Sequence, residues 1–237
     1  MKKYILILLA LSAAGCSKEN KILYDNINGM DSPYLSAGEL SAREKELKET
    51  ISEYRDILEK KVDAARNLGT YHKTLGKLYL DNRMYLLAIE QFTEAIKIDN
   101  ENPVLFYYAA LAHARYAKSL MSETEKFANF IEAEKFYLRT LELNINFHKA
   151  LYALSVLYVF ELDQPDKAVS YLEQLLETQR SDYEAMFLLA NAYIRIGLSD
   201  MAVEMYDRII KNTKNSAYKD QAEANKKKLM DGGYEGI

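Results

Sequence analysis

The sequence predicts an all-α fold, a solenoid of stacked helix-turn-helix units, on three observations. The 237 residues hold only 9 Gly and 3 Pro, while Leu, Ala, Glu, Lys and Tyr abound, which favours helix over strand. Apolar residues recur at three- and four-residue spacing over most of the chain, the period of a helix with one buried stripe. One set of landmarks returns four times, at intervals too regular for unrelated helices.

Bulk properties narrow the chemistry. Hydrophobic residues make up 49% and charged ones 28%, enough apolar surface to fold. The formal charge is −4, and loss of Lys2 and Lys3 with a leader would take it to −6, so the chain is a poor nucleic-acid binder. A single cysteine, Cys16, rules out an internal disulfide and a Cys-rich zinc site.

At the N-terminus, Met1-Lys2-Lys3 is followed by an apolar run from Tyr4 to Ala14 and then Gly15-Cys16. The run is too short to span a bilayer as a helix and has the layout of a secretory signal. Small residues immediately before a lone cysteine resemble a bacterial lipoprotein signal, with Ala13 where the lipobox usually has Leu. The resemblance implies a signal peptide over 1–15, cleavage after Gly15, acylation of Cys16, and a chain held on a membrane of the bacterial envelope, facing the periplasm or outer membrane. Residues 16–37 lack helical period and carry Asn, Asp, Ser, Gly29 and Pro33, so they read as a tether.

Residues 38–68 read as one helix. Leu47, Ile51, Tyr54, Leu58, Val62 and Ala65 form an apolar seam with charged flanks. Packing on the first repeat as a cap is the favoured use of that seam, and a coiled-coil homo-oligomer the alternative.

Four units follow, over 69–102, 103–147, 148–182 and 183–216. Their first helices repeat Leu75, Ala109, Leu154 and Leu189, each followed four residues later by Tyr79, His113, Tyr158 or Tyr193. Their second helices repeat Ala88, Ala133, Ala168 and Ala202, each followed by Phe92, Tyr137, Leu172 or Tyr206. The first-helix rings lie 34, 45 and 35 residues apart, which locates an insertion between His113 and Ala133. Helical pattern continues through it, so both helices of the second unit are expected to be long, with Ser122 and Glu125 as a capping box. Gly197 suits a helix-ending turn, and Pro165 with Asp166 suits a first turn. Residues 217–230 read as a capping helix before a short tail, stopped by Gly232 and Gly233; the Lys226–Lys228 run reads as a solvated face.

This Leu…Tyr…Ala…Phe pattern resembles the tetratricopeptide repeat, most closely in "LGKLYLDNRMYLLAIEQFTEAIKID", where Leu75, Gly76, Tyr79, Ala88, Phe92 and Ala95 all match. Gly76 becomes Ala110, Ser155 and Ala190 in later units, and the helix-ending proline is absent. The resemblance implies a right-handed superhelix with a concave groove lined by the first helices. Carried over position by position, the groove residues are Lys73 and Lys77, Tyr107 and Leu111, Tyr152 and Val156, and Phe187 and Asn191. Of the Lys, Asn and Arg set with which one subclass grips a terminal carboxylate, only Lys73 and Asn191 remain, in units far apart, so that clamp is not expected.

No zinc-protease, phosphate-loop or nucleophile-elbow motif occurs, and His72, His113 and His148 are scattered. The expectation is therefore a non-catalytic scaffold without metal or cofactor, binding a peptide or helix of an envelope or secreted protein in an aromatic groove. The alternatives are a self-associating structural lipoprotein and a transporter-associated or ligand-carrying repeat protein.

Overall fold

A computed structural model describes residues 37–232. The signal segment, Cys16, the tether before 37 and Gly233 lie outside the described residues. Among the described residues there are helices and no strand: α1 Ala37–Asp81, α2 Tyr85–Ile98, α3 Pro103–Ser119, α4 Glu123–Leu143, α5 His148–Phe160, α6 Pro165–Thr178, α7 Tyr183–Arg195, α8 Ser199–Asn212 and α9 Ser216–Met230.

The chain divides after Lys61. On the N-terminal side, α1 shows the expected seam, and Leu40, Leu47, Ile51, Tyr54 and Leu58 are all exposed on it. The sequence reading ends one helix at 68 and starts the first unit at 69, but the backbone of α1 runs through that point without a break. Gly69 is the sole residue there that disfavours helix, at a cost of about 1 kcal/mol, which its neighbours outweigh.

From Val62 onward, helices pair as antiparallel hairpins: the end of α1 with α2, where Gly76 meets Phe92 and His72 meets Gln91, then α3 with α4, α5 with α6, and α7 with α8. Each hairpin packs on the next through α2–α3, α4–α5, α6–α7 and finally α8–α9. Ala88, Ala133, Ala168 and Ala202 are all 0% exposed, so the recurring small residue marks where helices cross closely. The ring or leucine four residues on (Phe92, Tyr137, Leu172, Tyr206) fills the space beside each crossing. Burying such a side chain stabilises the fold by about 1.5–3 kcal/mol. At Gly76 the approach is closest: a Cβ there would lie 2.8 Å from the Phe92 ring. No later unit demands glycine, and Ala110, Ser155 and Ala190 take its place.

Three hairpins turn alike. α1 ends with Arg83 at φ 62°, α5 with Asp163 at 52° and α7 with Gly197 at 80°. In each, the next N–H reaches back to the repeat's ring residue: Met84 to Tyr79 O at 2.9 Å, Gln164 to Tyr158 O at 2.8 Å and Leu198 to Tyr193 O at 2.8 Å. These left-handed residues close the orphan carbonyls of the helix end. The turn after α5 holds one residue more than the other two, the source of the spacing of 35.

The second unit has no such turn. Ala117, which stands where Arg83 stands in the first unit, remains helical and buried, and α3 continues to Ser119. α3 and α4 have 17 and 21 residues, against 13 or 14 in each helix of the third and fourth units. Ser122 caps α4 by accepting the Glu125 N–H at 3.4 Å, and Phe130 packs inward. Met121, at the tip, is almost fully exposed.

Candidate functional site: a two-chambered groove

The first helices of successive hairpins place their half-buried positions side by side. Leu111 of α3 and Tyr152 and Val156 of α5 line one cavity of about 360 Å³, floored by Phe130, Tyr137 and Leu157. Tyr152 also borders a second cavity, of about 520 Å³, with Phe187 and Asn191 of α7. Five of the eight expected groove residues are thus brought together, and Tyr152 is the wall the two chambers share.

The other three are placed differently. Tyr107 lines neither chamber. Its ring packs 5.3 Å from Tyr108, 5.3 Å from Phe147 and 6.1 Å from Tyr137, completing an aromatic cluster over the second unit. Lys77 sets its ammonium 5.5 Å from the Tyr108 ring centroid, a cation–π contact. Lys73 borders a separate cavity of about 440 Å³ with Arg66, Ile98 and Asp99, so the chambers do not include it. Cys16 lies outside the described residues.

Several lining residues escaped the sequence reading. Gln221 and Asn225 of α9 face the second chamber. They follow Phe187 and Asn191 by 34 residues, so α9 continues the ladder of first helices on its inner face. Repeat spacing extended past 216 identifies them, whereas the polar look of 217–230 suggested only a solvated cap. Arg115 and Phe160 each stand two residues beyond a framework ring, His113 and Tyr158, and line the first and second chambers respectively.

Electrostatics differ between the chambers. The first has Lys118 and Glu161, which pair with each other at 2.6 Å, and Arg115, which forms no ion pair among the described residues. The second has the Glu184 carboxylate, which among the described residues accepts one hydrogen bond, from the Tyr218 hydroxyl at 3.3 Å. Burial raises the hydroxyl pKa of Tyr107, Tyr137 and Tyr152, so these remain neutral donors. Asn191 Oδ1 is buried and has no hydrogen-bond partner among the described residues. A buried acceptor left unpaired costs about 1–3 kcal/mol.

The histidines are kept apart by the fold. His113 Nδ1–H donates to Asn129 Oδ1 at 3.0 Å, His72 meets Gln91 at 2.8 Å and His148 meets Thr178 at 3.0 Å, each in a different hairpin. No group of His, Cys, Asp and Glu that could hold a metal occurs among the described residues. No described helix is long and apolar enough to cross a membrane.

Comparison with known proteins accounts for the repetition. Family models of the tetratricopeptide repeat match residues 74–102 and 159–224. Residues 74–102 and 159–224 are tetratricopeptide repeats. A TPR repeat-containing protein of Borreliella burgdorferi (strain ATCC 35210 / DSM 4680 / CIP 102532 / B31) is 26% identical over 216 residues, 91% of this chain and 93% of that one. Among solved structures, the TPR protein YrrB superposes with a TM-score of 0.55 at 17% identity, over 73% of this chain and 89% of YrrB. MamA gives 0.54 at 21% identity, over 81% of this chain and 99% of MamA. These likenesses establish the solenoid of tetratricopeptide hairpins. The matched spans leave out the second unit, whose long α3 and α4 depart most from the common repeat.

Proposed function

We propose that this repeat protein is a non-catalytic scaffold of the bacterial envelope, anchored through a lipid on Cys16, that holds a segment of a partner protein in its groove. The observation that carries the binding half is the pair of adjoining chambers sharing Tyr152: the first is mostly apolar, and the second sets Phe160, Phe187 and Leu188 beside polar side chains, so each suits a peptide side chain with the backbone in reach of hydrogen bonds. Aromatic walls add large contact area with few rotors to freeze. YrrB, which shares the fold, is described as a TPR protein with an unusual peptide-binding site. The anchoring half rests on the leader and Cys16 alone.

Crosslinking and affinity capture from intact envelopes test the groove. Tyr152→Ala with Phe187→Ala should cut recovery of a specific partner at least tenfold; unchanged recovery removes the groove as the binding site. For the anchor, wild-type cells fed a fatty-acid analogue should label the protein and Cys16→Ala cells should not.

A second reading, self-association, is favoured by one observation: Leu40, Leu47, Ile51, Tyr54 and Leu58 on α1 are exposed at coiled-coil spacing. Sedimentation of the full chain over a concentration series separates it. A concentration-dependent mass lost on Leu47→Lys with Leu58→Lys supports it, and a constant monomer mass rejects it.

A further inference from the structure

Resting on the groove reading above, we propose that the two chambers select an extended segment of a partner with a definite charge order. Two apolar side chains three residues apart fill the chambers, a carboxylate flanks the one beside Arg115, and a cation flanks the one beside Glu184.

The spacing follows from the helices. Packed helix axes lie about 8–10 Å apart, so chambers built on successive first helices are separated by about that much. An extended polyproline-like segment rises about 3.1 Å per residue and turns in three, bringing side chains i and i+3 to one face about 9 Å apart. A partner helix would need anchors about seven residues apart to span the same distance.

The choice of an extended backbone over a helix comes from Gln221 and Asn225. Both side-chain amides line the second chamber within reach of an occupant, Gln221 exposed and Asn225 half-buried. An extended segment has main-chain N–H groups to give, whereas a helix interior has already used its own.

The charge order comes from Arg115 and Glu184. Each is exposed at the mouth of a different chamber and neither has an ion-pair partner among the described residues. The remaining charges of the first chamber, Lys118 and Glu161, neutralise each other at 2.6 Å. One chamber thus presents a free cation and the other a free anion, and complementary charge on the partner is what favours one segment over another.

The probes are pools of short peptides, acetylated and amidated so that their ends carry no charge. All hold two Leu or Phe residues three apart, flanked by Glu then Lys, by Lys then Glu, by two Glu, or by two Lys. Fluorescence anisotropy on the full chain should rank one of the two mixed pools above the other three by roughly tenfold, and equal binding of the two mixed pools overturns the charge order. Arg115→Glu should move the preference to the two-Lys pool, and Glu184→Lys to the two-Glu pool. Both positions are exposed, so both variants should fold. Gln221→Leu with Asn225→Leu should weaken binding of the preferred pool at an unchanged melting temperature, a pairing that merely structural side chains would not produce.

A ranking unmoved by the two charge reversals overturns the proposal. So does tighter binding of a peptide copying residues 18–27, which would make the chain's own N-terminal segment the occupant. If no pool binds while envelope capture still depends on Tyr152 and Phe187, the charge order and spacing fail and the groove survives. If capture is insensitive as well, both fall.

Discussion

Single backbone and ring positions decide a good deal. Arg83 holds a left-handed conformation at φ 62°, the role Gly197 takes in the last hairpin at φ 80°. A side chain there costs about 1–2 kcal/mol, partly offset by the chain entropy glycine loses on folding. Arg83→Gly should therefore raise stability by up to about 1 kcal/mol, read from urea unfolding, with no change in helix content. The matching Asp163→Gly should gain less, because Asp163 also pairs with Arg195 at 2.7 Å. His113 is different in kind. Burial lowers its pKa from 6.5, with the Asn129 hydrogen bond and nearby Glu132 opposing. Its ring stacks 5.5 Å from Phe136. The folded state keeps the imidazole neutral where the unfolded chain would protonate it, so the unfolded state binds more protons. Stability from this group is present above pH 6.5 and is lost as pH falls through that value toward the lower folded pKa. Thermal melts between pH 7.5 and pH 5 should show the decline, and His113→Gln should flatten it.

Among the elements, α9 is the informative one. Its composition is polar, and a lysine run near its end gave it the look of a solvated cap. In the structure it is seated by Ala222, which is 0% exposed, and by Tyr218, whose ring lies 5.8 Å from Tyr183 and 6.1 Å from Phe187. Lys226, one of the run, pairs with Asp207 at 2.6 Å, but both partners are solvated. Removing the pair by Lys226→Ala should cost at most about 1 kcal/mol. Ala222→Asp places a charge where no partner is available and should detach the helix, lowering the melting temperature and exposing the second chamber to proteolysis. The two variants distinguish a helix held by packing from one held by charge. The long α3–α4 hairpin makes the complementary point. Its length follows from a continuous helical pattern across the insertion, and the turn that ends the other first helices is replaced there by the buried Ala117.

For the repeat array as a whole, stability is close to a sum of hairpins and their interfaces. The sum is uneven. One cluster of buried residues runs from Ala110 to Ala222, through the last three hairpins and α9. The first hairpin has a smaller one of Leu80, Ala88 and Phe92, closed by Ala109 and Ala112 of α3. Leu75, Leu78, Leu86 and Leu87 of that hairpin are exposed. Hydrogen exchange should therefore find α2 opening first, with amides of α5 to α7 protected longest. Uniform protection across the array would show instead that the hairpins unfold as one unit.

Two periods were legible in the chain by itself, because both are properties of covalent order. The helical spacing of apolar residues and the recurrence near 34 residues give the hairpins, their sequence and the long second unit, and Ala88 or Tyr193 can be placed in the core from them alone. The groove was only partly legible. Leu111, Tyr152, Val156, Phe187 and Asn191 were found by phase. Phase does not say whether a ring lines a chamber or is covered by its neighbours. Tyr107 and Tyr152 hold the same register, yet Phe147 and Tyr108 cover the first while an open chamber lies on either side of the second. Only the tertiary structure decided that, and only it placed Arg115 and Glu184 at the mouths of adjoining chambers. The physical reason is that a groove is a relation among side chains from helices dozens of residues apart, set by how each hairpin fills the space left by the one before.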